Sequence, residues 1–325
     1  MKKNPVVILS GPTASFKTHT ALFLAEQLAK EAGVSVEIVN FDSLLFYREL
    51  NIGTAKPTPE ELRAIKHHMI DIASAQQPIN AADYADSARK ILAELHTAGK
   101  IPILAGGSGF YLRALIKGMY DEAHVPPDVR EKVETLYQNQ GMAPIVDVLK
   151  VHDPESLHVL HPNDHYRLKR AVEYFWTTGD PISKAKAEMD LLSPYDFSQT
   201  TIPDWQILHC HLDLPKPEHL AVIRERTQAM LANGLVDEVK KLLESGFTGK
   251  EKPLNSIGYK EIMDYLAGEY PNLSECAERI IISTRQLAKA QRTWFKKVGP
   301  KSIFHPKTEA REIYATVKTF LDLQG

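Results

Sequence analysis

Cysteine is nearly absent: Cys210 and Cys276 are the only two in 325 residues. Two cysteines cannot build the disulfide framework of a small secreted domain or a four-thiolate zinc site. A reducing, cytoplasmic setting is therefore expected. Long apolar runs are also missing. No stretch approaches the roughly 20 residues needed to cross a bilayer. The run Val6–Leu9 behind Met1-Lys2-Lys3 is far too short for a signal-peptide core and leads into a glycine turn. No membrane partner is expected. An excess of either charge is missing as well: 39 Lys and Arg face 41 Asp and Glu, for a formal net charge of −2. That excludes a protein that coats nucleic acid by bulk charge but leaves room for a local basic surface. Internal repeats and low-complexity tracts are absent.

What remains is an ordinary globular composition, with 43% hydrophobic and 25% charged residues. The chain is long enough for a full α/β domain and a second, smaller unit. In the first third, apolar runs alternate with helical patterns. Val6–Leu9, Val36–Val39 and Ile101–Leu104 read as buried strands, and Thr18–Glu31 and Asp83–His96 as helices stopped by Gly33 and Gly99. Strands separated by helices imply parallel pairing, with ligands at the carboxyl ends of the strands. From Asp121 to Asp204 strand signals are few; Asp128–Gln138, Ala143–Val151 and Asn163–Thr178 read as helices. Trp205–Leu212 returns to a strand pattern, and everything after it reads as helical. The expected fold class is α/β: a P-loop NTPase-like parallel sheet core, residues 1–120 and 205–325, with an inserted helical domain at 121–204.

The strongest local signal is Gly11-Pro12-Thr13-Ala14-Ser15-Phe16-Lys17-Thr18, between a strand and a helix. It matches the P-loop pattern at Gly11, Lys17 and Thr18. In that pattern backbone amides at the helix start cradle phosphate oxygens, the lysine neutralises them, and the hydroxyl reaches Mg²⁺. Phe16 stands where the pattern has glycine, and a plain strand–turn–helix remains the competing reading. Asp42-Ser43 ends the second strand. A carboxylate there can take a proton from a nucleophile, or it can simply cap a turn. Gly106-Gly107-Ser108-Gly109 ends the third strand, where glycines let the backbone approach a ligand. No Asp ends that strand, which weighs against ATP hydrolysis as the main activity. Arg285, Lys289, Arg292 and Lys296 share one helix face, as do Arg167 and Arg170 with Lys169 beside them. Such faces are either ordinary solvated surface or a localised phosphate-binding track.

Together these segments resemble the bacterial tRNA dimethylallyltransferase family, in the family's order and over most of the chain. The resemblance is carried by Gly11–Ser15 with Lys17-Thr18, Asp42-Ser43 with Tyr47, and Asn51-Ile52-Gly53-Thr54-Ala55-Lys56-Pro57. It continues through His67-His68 with Ile70-Asp71, Gly106–Gly109 with Tyr111–Ala114, and His161–Asp164 with Arg167, Arg170-Ala171 and Glu173. Ile257–Glu261 and Thr284–Gln286 with Ala288-Lys289, Gln291 and Thr293–Phe295 complete it. It implies an enzyme that moves the dimethylallyl group of dimethylallyl diphosphate to the exocyclic amine of the adenine beside the tRNA anticodon. Residues 11–18 would bind the diphosphate, or a nucleotide such as ATP. Thr18 would hold Mg²⁺, and Lys17, with Arg226 or other cations, would stabilise the leaving pyrophosphate. Asp42 would take the amine's proton. Asp42, Ser43, Leu44, Leu45, Ser108 and Arg130, with Tyr166, Arg167, Leu168, Lys169 and Arg170 on the insertion, would contact the anticodon stem-loop of tRNA. A monomer is expected.

Four positions depart from the family pattern: Phe16 stands for glycine, Leu45 and Asn255 for glutamine, and Ala290 for arginine. They keep a weakly active or inactive tRNA-binding paralogue in play. An adenylate isopentenyltransferase is the other alternative, although it needs no RNA-gripping insertion.

Overall fold

The computed structural model describes residues 4–119, 125–191, 193–202 and 204–323. The chain opens with β1 (Pro5–Ser10), α1 (Lys17–Ala32), β2 (Val36–Asn40), α2 (Pro59–Ala64), β3 (His67–His68), α3 (Ala81–Thr97), β4 (Ile101–Gly106) and α4 (Gly109–Lys117). Next come α5 (Pro127–Gln140), α6 (Ala143–His152), α7 (Pro154–Val159), α8 (His165–Thr178) and α9 (Ile182–Asp190). The chain closes with β5 (Gln206–Leu212), α10 (Lys216–Ala232), α11 (Leu235–Glu244), α12 (Tyr259–Leu266), α13 (Leu273–Lys296), β6 (Ser302–Phe304) and α14 (Ala310–Phe320). Residues up to Ile116, together with those from Asp196 onward, form one compact unit. Lys117–Tyr195 form a second. The domain edge expected at 120/121 lies outside the described residues.

The first unit holds one six-stranded sheet in the order β3-β2-β4-β1-β5-β6, with every pairing parallel. β1 is buried along its whole length, as a central strand covered on both faces must be. Val7, Leu9, Ile38 and Ile103 meet Leu24 and Leu28 of α1 and Ile313 and Val317 of α14 in one apolar layer. Each fully buried side chain of this size stabilises the fold by about 1.5–3 kcal/mol. Register brings the strand ends level: Ser10 pairs with Gly106 on one side and with His211 on the other. The loops after β1, β2 and β4 therefore emerge at one edge, where ligands bind in such sheets.

The helical reading of everything after residue 212 is corrected by β6, a three-residue edge strand that pairs with β5. β3 is a second short edge strand, two histidines beside β2.

The second unit is all helical among its described residues. Val133, Ile145, Leu149, Leu168, Ala171 and Val172 form its own core. Asp164 caps α8 by accepting from the Arg167 amide at 3.2 Å, and Gly179 ends that helix in the left-handed conformation. Asp153 caps α7, accepting from the amide and the hydroxyl of Ser156.

Candidate functional site

A cavity of about 470 Å³ opens at the carboxyl edge of the sheet. Thr13 to Thr18 form one wall, Asp42 and Leu45 a second, Thr54, Ala55 and Pro57 a third, and Val222, Arg226 and Ala229 of α10 a fourth. Gly11 and Pro12 lie beneath the loop and are buried. Their carbonyls accept from the Lys17 ammonium at 3.1 and 2.7 Å. Burial lowers the Lys17 pKa to about 8; Asp42 opposes that shift, and Arg226 adds to it. Arg226 is likewise lowered by burial and supported by Asp42, and its guanidinium donates to the Thr54 carbonyl at 3.2 Å. Lys17, Arg226 and Asp42 thus face one pocket, with Glu61 and Glu225 elsewhere on its lining. The first three are only partly exposed, which strengthens their action on an anion relative to open water.

The loop has an unusual backbone. Phe16 caps α1 at φ 60°, ψ 24°, with no side-chain cap bond, and Ala14 sits at φ 59°. Both are left-handed, a conformation that favours glycine.

Asp42 does two things. Its Oδ1 accepts from the Leu44 amide at 3.3 Å and caps the short turn Ser43–Phe46. The same carboxylate faces the cavity. Capping the turn therefore does not take the carboxylate out of the cavity wall. Ser43 donates from its amide to Ser108 Oγ at 3.1 Å, which ties the ends of β2 and β4 together. Leu45 lines the cavity, whereas Leu44 does not.

The glycines after β4 were expected to admit a ligand. Gly106 does line the cavity, whereas Gly107 and Gly109 admit α13. A Cβ on Gly107 would lie 2.6 Å from Gln291 Nε2, and one on Gly109 would lie 2.1 Å from the Trp294 ring. Arg292, read as part of a basic solvent face, also turns inward. It donates to Asp213 Oδ1 at 2.7 Å and to the Leu214 carbonyl at 3.1 Å. The highly specific run 51–57 is held by Glu238, whose carboxylate accepts from the amides of Asn51, Ile52 and Gly53. This sets Thr54 against Arg226. Sequence reasoning named Arg226 among the cations but did not place Gln291 or His219 beside the Thr13 backbone, to which both hydrogen-bond. Gln291 stood within a family segment, but nothing in its spacing pointed at residue 13.

Among the described residues, no group of three or more His, Cys, Asp or Glu side chains could hold a metal ion. A cation here would be held by the Thr18 hydroxyl and completed by the phosphate oxygens of a ligand. Such a hard-oxygen, ligand-completed set suits Mg²⁺. Cys210 and Cys276 are buried, with burial raising their thiols to about 12 and about 11, so neither is reactive.

The other predicted residues belong to the helical unit. Arg130, Tyr166, Lys169 and Arg170 line a cavity of about 360 Å³ with Glu131, Glu134 and Glu173. Tyr166 is 70% exposed. Arg167 is exposed and pairs with Asp164 at 2.9 Å. Lys169 pairs with Glu134 at 2.6 Å and stands over the Tyr137 ring. Arg170 pairs with Glu173 at 3.4 Å. Leu168 corrects the expectation that the whole run 166–170 meets RNA: it is 1% exposed and packs in the unit's core. Successive helical residues point roughly 100° apart, which leaves Tyr166 and Arg167 in solvent and carries Leu168 round to the core side.

Fold and loop together define a P-loop-type α/β protein with a helical second unit. The IPP transferase family model matches residues 45–298. The tRNA dimethylallyltransferase 1 of Trichlorobacter lovleyi is 42% identical over 98% of this chain and 99% of its own length. The tRNA dimethylallyltransferase of Geobacter sulfurreducens is 38% identical over 91% of this chain and 90% of its own length. Among solved structures, the full-length tRNA isopentenylpyrophosphate transferase of Bacillus halodurans superposes with a TM-score of 0.68 at 30% identity. That match covers 98% of this chain and 97% of the other. A eukaryotic dimethylallyltransferase crystallised acting on tRNA shares the fold, with a TM-score of 0.80 at 22% identity, covering 100% of this chain and 81% of that one. The chain belongs to the IPP transferase family.

Proposed function

We propose that this chain transfers the dimethylallyl group from dimethylallyl diphosphate to the exocyclic amine of the adenine next to the tRNA anticodon. One observation carries the reading: in a member of this family, Lys17, Arg226 and Asp42 face a single cavity beside the P-loop. The diphosphate lies along residues 13–18. Lys17 and Arg226 neutralise the charge that builds on pyrophosphate as the carbon–oxygen bond breaks. Thr18 and the phosphate oxygens would hold Mg²⁺, which would supply further charge neutralisation. The apolar wall of Leu45, Ala55, Val222 and Ala229 accommodates the prenyl chain.

The amine lone pair forms the new carbon–nitrogen bond, and its proton passes to Asp42. A positioned base of this kind is typically worth ~10²–10⁴-fold in rate. The adenine leaves its stack to reach the cavity, while Ser43 and Ser108 meet the RNA nearby. Arg130, Tyr166, Arg167 and Lys169 hold the stem through its backbone and stacking, while Arg170 stays in its pair with Glu173. The enzyme works as a cytoplasmic monomer.

The test mixes protein, Mg²⁺, dimethylallyl diphosphate and unmodified tRNA, then looks for prenylated adenosine by mass spectrometry. A parallel reaction offers AMP. Product on tRNA alone is expected. Product on AMP alone favours the nucleotide enzyme, and no product on either overturns the reading.

A further inference from the structure

Thr13 is held on both sides of its backbone by side chains from distant helices. Its amide donates to Gln291 Oε1 at 2.7 Å. Its carbonyl accepts from His219 Nε2 at 2.8 Å. Gln291 is used at both ends, since its Nε2 donates to the Gly107 carbonyl at 3.1 Å. His219 is 2% exposed, and its Nδ1 lies 2.7 Å from the Arg292 guanidinium. A guanidinium only donates and a carbonyl only accepts. The ring is therefore neutral, with its hydrogen on Nε2. Arg292 is fixed in turn by Asp213 at 2.7 Å. A relay runs from Asp213 through Arg292 and His219 to the loop.

The loop needs such a hold. Ala14 and Phe16, just beyond Thr13, are left-handed at φ 59° and 60° although both carry side chains. A backbone like that persists only where its surroundings over-determine it. In addition, an amide already donating to Gln291 is not offered to a phosphate, so the anion falls to the amides and to Lys17 further along.

We propose that Gln291 and His219, the latter set by Arg292 and Asp213, are positioning residues for the diphosphate loop. They clamp Thr13 from behind, and the strained turn through Phe16 stays shaped for the donor. This rests on the donor reading above. A merely structural role would lower stability without touching donor binding.

The test compares full-length wild type with His219→Ala, His219→Gln and Gln291→Ala. Calorimetric titration with inorganic pyrophosphate and Mg²⁺ reads the loop directly. Steady-state transfer gives separate KM values for dimethylallyl diphosphate and for tRNA, and thermal melting reports stability. Losing one such hydrogen bond should cost about tenfold in affinity. His219→Ala and Gln291→Ala should each weaken pyrophosphate binding and raise the donor KM about tenfold, with the tRNA KM unchanged. His219→Gln should recover most of the loss, because its amide nitrogen can donate to Thr13 and its oxygen can accept from Arg292. Pyrophosphate affinity within twofold of wild type in both alanine variants overturns the clamp. So does a His219→Gln as weak as His219→Ala. Wild-type protein that binds no pyrophosphate overturns the donor reading itself, and the clamp with it.

Discussion

The Lys307 ammonium stands 5.0 Å from the centroid of the Phe16 ring. Lys307 also pairs with Glu218 at 3.3 Å, and Glu218 accepts from His305 at 2.9 Å. The phenyl ring that takes the place of a P-loop glycine is thus covered by a small charged network. A partly exposed cation–π contact is worth about 0.5–1 kcal/mol. The left-handed backbone costs about 1–2 kcal/mol for a residue with a Cβ. The second term is the larger, so Phe16 is strained on balance.

That balance predicts an inverted order of two variants. Phe16→Gly and Phe16→Ala both lose the ring and differ only in the Cβ. In ordinary helix the alanine protein would be the more stable by about 0.5–1 kcal/mol. Here the glycine protein should be the more stable by about 1 kcal/mol in urea denaturation. Alanine above glycine would mean that residue 16 is not left-handed in solution.

Asp42 separates into its two jobs by a conservative change. Asn caps a turn as well as Asp does but cannot take a proton. Asp42→Asn should keep the wild-type melting temperature and lose about 10²–10⁴-fold in single-turnover transfer. Its donor binding should be no weaker, because a negative charge facing Lys17 and Arg226 has gone. Asp42→Ala should lose the rate and about 1 kcal/mol of stability as well. A single-turnover rate within a few-fold of wild type in Asp42→Asn would leave Asp42 as a cap alone.

The strands that carry the site were legible because β1, β2 and β4 are apolar runs closed by turn residues. β3 was not, since two histidines carry no apolar pattern and form a strand only by pairing with β2. The P-loop pattern showed at Gly11, Lys17 and Thr18 within eight consecutive residues, with a plain strand–turn–helix left open by Phe16. The clamp on Thr13 could not, because Gln291 and His219 lie 278 and 206 residues away. Helical spacing put Arg292 on a basic face with Arg285 and Lys289, but spacing carries no information about Asp213, the buried-side partner that draws it in.

Beneath the loop, Ser10 Oγ lies 2.6 Å from His209 Nε2 and 2.8 Å from His211 Nδ1. Burial lowers the two imidazoles to about 3 and about 4. In the unfolded chain both titrate near the ordinary value of about 6.5. As pH falls below that value, the unfolded chain takes up protons that the folded chain refuses, so stability falls with pH. The contribution is complete above about 6.5 and is lost progressively down to about 4 for His211 and about 3 for His209. The slope approaches about 1.4 kcal/mol per pH unit for each histidine. His209→Asn should flatten the acid limb of a stability–pH curve measured by urea denaturation. An unchanged slope would show that His209 is not held neutral.

The basic residues of α8 differ in what binding RNA would ask of them. Arg167 is 67% exposed, and its pair with Asp164 is a surface one, worth about 0–1 kcal/mol. A phosphate can displace Asp164 at little cost. Arg170 and Glu173 are 18% and 17% exposed, so removing the arginine strands a half-buried carboxylate. The two changes should therefore be read out by different measurements. Arg167→Ala should lower tRNA affinity at low salt and reduce the slope of log K against log salt by about one, as the loss of one phosphate contact does. It should leave the melting temperature alone. Arg170→Ala should lower the melting temperature and leave the salt slope near that of wild type. Filter binding over a salt series and a thermal melt decide between them. If Arg170→Ala flattens the slope and Arg167→Ala does not, then the ion pair with Glu173 opens on binding, and Arg170 is the residue that reaches the phosphate.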